Sequence, residues 1–214
     1  MRRASLALLV LTCSACQTTS PKPRGPSLTS FHVLQQPAME VFAEGQHFRL
    51  IRPLVVRFGE GADSLVIPAG FVSDLASIPL VAQSLISKLG PHIRPAIVHD
   101  YLYWTQSCSR HEADAIFSKL MEDLGTPLLT RWALSFAVAN FGKKAWHENA
   151  QERTAGLPRI IPPGAREIGP YETWDEYRIY LQSLGEDGFR GPVMTPGFCT
   201  CSKNVDKPRS ARAR

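Results

Sequence analysis

The residues best suited to chemistry lie between positions 71 and 117. Val98–Trp104 reads VHDYLYW; Phe71–Pro79, FVSDLASIP, precedes it and Ser109–Phe117, SRHEADAIF, follows. A histidine beside an aspartate, an aromatic hydroxyl one turn on and acidic side chains on both flanks can activate water and hold a cation. Ionisable side chains are costly to bury unless paired. These lie inside apolar runs, so they are expected to meet in space. His99 and Tyr103, four residues apart, share a helix face, with Asp100 rotated about 100° away. Asp114 sits at the edge of the next helix's apolar stripe, in line with Phe117 and Met121. The linker Thr105–Cys108 is short enough to make the two helices antiparallel neighbours. From there Asp114 can accept the ring N–H of His99, the way a histidine base is held. Asp74, in a loop between a strand and a helix, and Asp100 offer hard oxygens suited to calcium, with loop carbonyls completing the shell. The same residues admit a structural reading. In it Asp100 pairs with Arg110 to tie the helices together, Asp74 and Ser77 form a turn or N-cap, and Tyr101, Tyr103 and Trp104 are core.

The elements that must position these groups follow from periodicity. Gln46–Phe58 alternates apolar residues and reads as a strand; Gly59–Ser64 is a turn; Leu65–Ile67 is a second strand, stopped at Pro68-Ala69-Gly70. Pro79–Leu89 reads as a first helix and Arg94–Trp104 as the next, with Pro95 in its first turn. Ser109-Arg110-His111-Glu112 is a capping box, in which the serine hydroxyl and the glutamate each bond the other's backbone N–H. Ala113, Ile116, Phe117, Leu120, Met121 and Leu124 then form a stripe at helical spacing. Pro127 opens a helix through Phe141 that Gly142 closes, and a short helix over Thr173–Leu184 packs on the outside. The fold class is α+β: a small antiparallel sheet or hairpin followed by a helical bundle of three to four helices.

The ends read differently. Residues 1–16 carry a positive start at Arg2 and Arg3, an apolar run over Ala4–Thr12 too short to span a bilayer, and small residues before Cys16. This is the pattern of a secretory signal. It also resembles the lipobox of bacterial lipoproteins, with Cys13 where that pattern usually has Leu, which implies acylation at Cys16. Residues 17–30 read as a flexible tether, 31–150 as the folded domain, 151–184 as an extension with a short helix, and 185–214 as a disordered basic tail. The tail's Lys203, Lys207, Arg209, Arg212 and Arg214 account for much of the +5 net charge, and no organised basic face points to nucleic acid. With 44% hydrophobic and 20% charged residues, the remainder has the composition of a globular domain. Cys108, Cys199 and Cys201 are left once the leader cysteines are set aside. Cys199-Thr-Cys201 is too sparse for a closed zinc site, so the choice is a bridge from Cys108 to the tail or free thiols.

The ordered run VIPAGFVSDLASIP, HDYLY, and then Arg110, Ala113, Asp114 and Phe117 as R-x-x-A-D-x-x-F, resembles the DUF1353 family of bacterial and phage proteins. The resemblance spans Phe48–Trp146, with Phe141-Gly142 and Trp146 matching the family's usual ending. It implies a domain but no activity. At motif level, H-D-x-x-Y is similar to the catalytic helix of secreted calcium-dependent phospholipases. By that similarity His99 is the base to a water, Asp100 a calcium ligand, Asp114 the residue that orients the histidine, and Asp74 the upstream calcium ligand. The animal enzymes' disulfide framework and glycine-rich calcium loop are missing. Two functions are therefore weighed. One is an exported, lipid-anchored, calcium-dependent hydrolase of phospholipid or another envelope ester. The other is a non-enzymatic envelope or phage-related lipoprotein whose His/Asp cluster is structural or binds a partner. A peptidoglycan-directed hydrolase lacks the His/Asp/His spacing of a zinc site.

Overall fold

The computed structural model describes residues 31–33, 35–58, 64–75, 90–184 and 199. The leader with Cys16, the tether, the expected helix over 79–89, most of the 59–64 turn and the tail with Cys201 lie outside the described residues.

Among the described residues, six short strands form two antiparallel sheets of three. β1 (Phe31–Val33), β4 (Leu54–Phe58) and β5 (Ser64–Ile67) make one, with β4 central. β2 (Met39–Val41), β3 (Phe48–Leu50) and β6 (Val72–Ser73) make the other, with β3 central. The stretch expected as one strand over Gln46–Phe58 divides at Ile51–Pro53, sending β3 to one sheet and β4 to the other. Pro53 has no N–H for a ladder, so the run breaks there. Period-two burial survives within β4, where Leu54, Val56 and Phe58 are buried while Arg57 is exposed.

The helices are α1 (Ile93–Thr105), α2 (Arg110–Asp123), α3 (Leu128–Thr154) and α4 (Trp174–Ser183). α1 is the central element, buried at every position except Arg94. One apolar core joins Leu54, Val56 and Leu65 of the first sheet to Ile97 and Leu102 of α1 and to Ile116, Phe117 and Leu120 of α2. α2 starts at the expected capping box: Ser109 Oγ accepts from Glu112 N, and Glu112 Oε2 accepts from Ser109 N at 2.8 Å. Cys108, in the α1–α2 linker, is bridged to Cys199, and both are buried. Of the two cysteine readings, the structure has the bridge.

Two helices differ from expectation. α3 does not close at Gly142 but runs on to Thr154. Gly142 is there because a neighbour is close: a Cβ at this position would lie 2.6 Å from the Tyr103 hydroxyl. α4, expected on the outside, buries Trp174, Tyr177 and Leu181 against Phe42, Val72 and Ile161 as a second small core. The segment before it is pinned to the β5–β6 turn. Phe71 bridges Ile160, and Ile161 N donates to Gly70 O at 2.9 Å. Gly70 has φ +83°, and a Cβ there would sit 2.0 Å from Ile161 O, so only glycine fits this crossing.

Candidate functional site

The site grows from the packing of α1 on α2. His99 and Tyr103 lie one turn apart on α1, and Asp114 projects from the first turns of α2 toward both. His99 Nε2 is 3.2 Å from Asp114 Oδ1, and the Tyr103 hydroxyl donates to the same oxygen at 2.6 Å. Arg110, one turn before Asp114, donates from a guanidinium nitrogen to Asp114 Oδ2 at 2.8 Å. Asp114 is thus held by three donors from two helices. Arg110 pairs with Asp114 here, not with Asp100 as the structural reading had it, because the i,i+4 spacing on α2 puts the two side chains on one face. The imidazole is clamped between rings: its centroid is 4.0 Å from that of Tyr103 and 4.7 Å from that of Phe117. Among the described residues, Asp114 is the hydrogen-bond partner of the His99 ring, which leaves Nδ1 without one. Burial lowers the His99 pKa below its usual 6.5, against the opposing pull of Asp114 and, more weakly, of Asp74. Burial, and then the Asp114 carboxylate, push the Tyr103 hydroxyl far above its ordinary range, so it stays a donor.

Asp100 points to the other side of α1. It accepts from Ser73 Oγ at 2.5 Å, and the same hydroxyl accepts from Leu75 N at 3.0 Å. Asp74 faces it closely enough for the two side chains to hydrogen-bond. Burial, and then the Asp74 charge, raise Asp100 well above the carboxylate range; the Ser73 bond and the Arg159 guanidinium act the other way. Arg159 reaches this point because its Nε donates to Val72 O at 2.8 Å, in the segment that crosses the β5–β6 turn.

The two sides are joined by a cavity of about 360 Å³. His99, Tyr103, Asp74, Asp100 and Arg159 line its polar part, together with Lys144, Glu148, Asn149 and Glu152 from the second half of α3. Leu134, Ala137, Val138, Phe141 and Ala145 of α3 make an apolar wall opposite. The structure therefore brings His99, Tyr103, Asp74 and Asp100 together around this cavity, with Asp114 and Arg110 directly behind it, while Ser77 lies outside the described residues. Sequence reasoning missed Ser73, Arg159 and the α3 wall. Ser73 was adjacent to Asp74 and its hydroxyl was a usable signal, but Arg159 lies in a segment with no motif.

Calcium can be tested against the donors present. A buried Asp100 carboxylate with the half-buried Asp74 carboxylate beside it forms a pocket of hard oxygens, which fits a divalent cation in kind. Among the described residues there is no group of three or more His, Cys, Asp or Glu side chains placed to hold a metal ion, so carbonyls and water would supply the rest of the shell.

Residues 48–138 match the model of a family described as a protein of unknown function, DUF1353. The match covers β3 through the first part of α3, and with them His99, Asp100, Tyr103 and Asp114. No curated protein and no solved structure matches the chain.

Proposed function

We propose that this domain is a water-activating ester hydrolase in which His99 is the general base. The observation that carries this reading is the ring geometry at His99. Asp114 engages Nε2, Nδ1 is left over, and the residue lines a cavity that Asp114 does not. With Arg110 and Tyr103 fixing Asp114 as an acceptor, Nε2 carries the proton and the lone pair sits on Nδ1. The lowered pKa keeps the ring neutral near pH 7, the state a base needs. A water at Nδ1 would attack the ester carbonyl as its proton passes to Nδ1. Collapse of the tetrahedral adduct would break the ester C–O bond, and the proton would leave His99 for the departing alkoxide. Asp114 stabilises the transient imidazolium throughout. Asp74 and Asp100 would hold calcium, which when bound polarises the carbonyl oxygen. The apolar wall of α3 suits an acyl chain, which makes a phospholipid or another envelope ester the matching substrate class.

Export and anchoring belong to the same proposal. The leader ending at Cys16 supports them, as does a buried Cys108–Cys199 bridge, which suits an oxidising compartment. Intact mass of the membrane fraction should show an acylated Cys16, and Cys16→Ala should release the protein. An unmodified, soluble wild type would reject the anchor.

The test of the hydrolase is release of fatty acid from phospholipid mixed micelles by the full chain, with calcium or with chelator. Release that needs calcium and is lost in Asp100→Asn supports the reading. A wild type that releases nothing in either condition leaves the cluster a structural or partner-binding one.

A further inference from the structure

The outward face of α3 is apolar, uncovered and cationic at its far end. Leu128, Leu129, Trp132 and Phe136 are 73%, 69%, 65% and 57% exposed, while Leu134 on the opposite side is buried in the core. The first half of the helix thus has apolar residues on its exposed side as well as its buried one, with Thr130, Arg131 and Ser135 among them. At about 100° per residue, Leu128, Trp132, Phe136, Ala139 and Lys143 fall on one stripe, with Leu129 alongside. The Trp132 and Phe136 rings stack, centroids 5.7 Å apart at 19°. From Leu124 to His147 the charged residues are Arg131, Lys143 and Lys144, without a single carboxylate. Arg131 lies 3.7 Å from Glu122 and Lys144 lies 3.4 Å from Glu148, whereas Lys143 has no ion-pair partner among the described residues.

We infer that this stripe lies on an anionic lipid surface, with Trp132 and Phe136 in the interface and Lys143 and Lys144 against the headgroups. Charge complementarity favours lipid: aromatic and leucine side chains beside lysines, in a stretch without acids, are what an in-plane helix presents to anionic bilayers. Among the described residues no helix is long and apolar enough to cross a membrane, so the contact is with the surface. The cavity wall of Leu134, Ala137, Phe141 and Ala145 is the opposite face of the same helix, so α3 would lie between the bilayer and the cavity. The contact goes beyond the catalytic reading and stands whether or not the cavity hydrolyses anything.

The chain has four tryptophans; Trp104 and Trp174 are buried, Trp146 is half-buried and Trp132 is the exposed one. The full chain should therefore be placed on vesicles of phosphatidylethanolamine and phosphatidylglycerol carrying brominated acyl chains. Quenching of the Trp132 emission is expected, absent in Trp132→Phe. Lys143→Glu combined with Lys144→Glu should raise the vesicle concentration for half-maximal quenching by about tenfold. Being exposed, these positions should leave the melting temperature unchanged, which circular dichroism checks. Vesicle-bound chain with unquenched Trp132 overturns the inference. So does quenching that persists in Trp132→Phe. A vesicle-free dimer by analytical ultracentrifugation that Phe136→Arg dissociates would assign the stripe to a second copy and overturn it as well.

Discussion

Asp100 belongs to α1 and Asp114 reaches α1 from α2, yet their surroundings differ. Asp114 is about one-fifth exposed and takes hydrogen bonds from His99, Tyr103 and Arg110. Asp100 is buried and accepts from Ser73, while the charge that acts on it most is that of another carboxylate, Asp74. The first arrangement is electrically closed. It fixes a ring and a tyrosine and has no capacity left. The second is different: a carboxyl at Asp100 that burial, and then the neighbouring Asp74 charge, make costly to ionise, on the wall of a cavity, with Ser73 and Arg159 acting the other way. A fold that only needed to join α1 and α2 would be served by the Asp114 side. The Asp100 side joins β6 to α1 through Ser73 but adds an unfavourable ionisation, and such groups concentrate at functional sites.

Substitutions sharpen this contrast. Asp114→Asn should be the most damaging. It removes the acceptor that sets the His99 tautomer, and hydrolysis should fall by about 10³- to 10⁴-fold in a steady-state assay. Phe117→Ala removes the ring that backs His99 in the core, and chemical denaturation should show a loss of about 3–5 kcal/mol. Gly142→Ala pushes a methyl into the Tyr103 hydroxyl. It should destabilise by about 1–3 kcal/mol despite the better helix propensity of alanine, and double substitution with Tyr103→Phe should recover part of the loss.

Asp100→Asn should have the smallest effect on stability and the opposite sign. A raised folded-state pKa means that the folded form binds the proton more tightly than the unfolded one. The stabilisation is complete below the ordinary carboxylate range and is lost as pH rises through the folded value. At pH 7–8 without divalent cations the asparagine form should melt slightly higher than wild type. Calcium should raise the melting temperature of wild type and not that of the variant. His99 runs the other way. Its lowered pKa makes its contribution complete above 6.5 and lost as pH falls below that value, so a melting curve against pH should lose an acid limb when His99 is replaced by Gln.

Much of this site was legible because it is local. H-D-x-x-Y places His99 and Tyr103 on one face by helical period alone, the Ser109–Glu112 box fixes where α2 begins, and a short linker brings Asp114 back to His99. What escaped depends on long-range contacts. Arg159 reaches Val72 across 87 positions, and the residue that marks that crossing, Gly70, lies just before Val72 and far from Arg159 in the chain. The strand break at Pro53 was visible in the residue type, but which sheet each half joins is decided by pairing partners far along the chain. Gly142 looked like a helix stop by its type. The Tyr103 hydroxyl, a tertiary neighbour, explains it instead.

The central claim is that His99 works as a base and is not merely packed. His99→Gln tests it most directly, since the glutamine amide keeps a donor where Nε2 was and supplies no base. Thermal melting and fatty-acid release should be measured on the same preparation of wild type and variant. Near-wild-type melting at pH 8 with release reduced to background is the expected result. A variant that still releases fatty acid at the wild-type rate, or a sharp drop in melting temperature with no wild-type release to lose, would contradict the account.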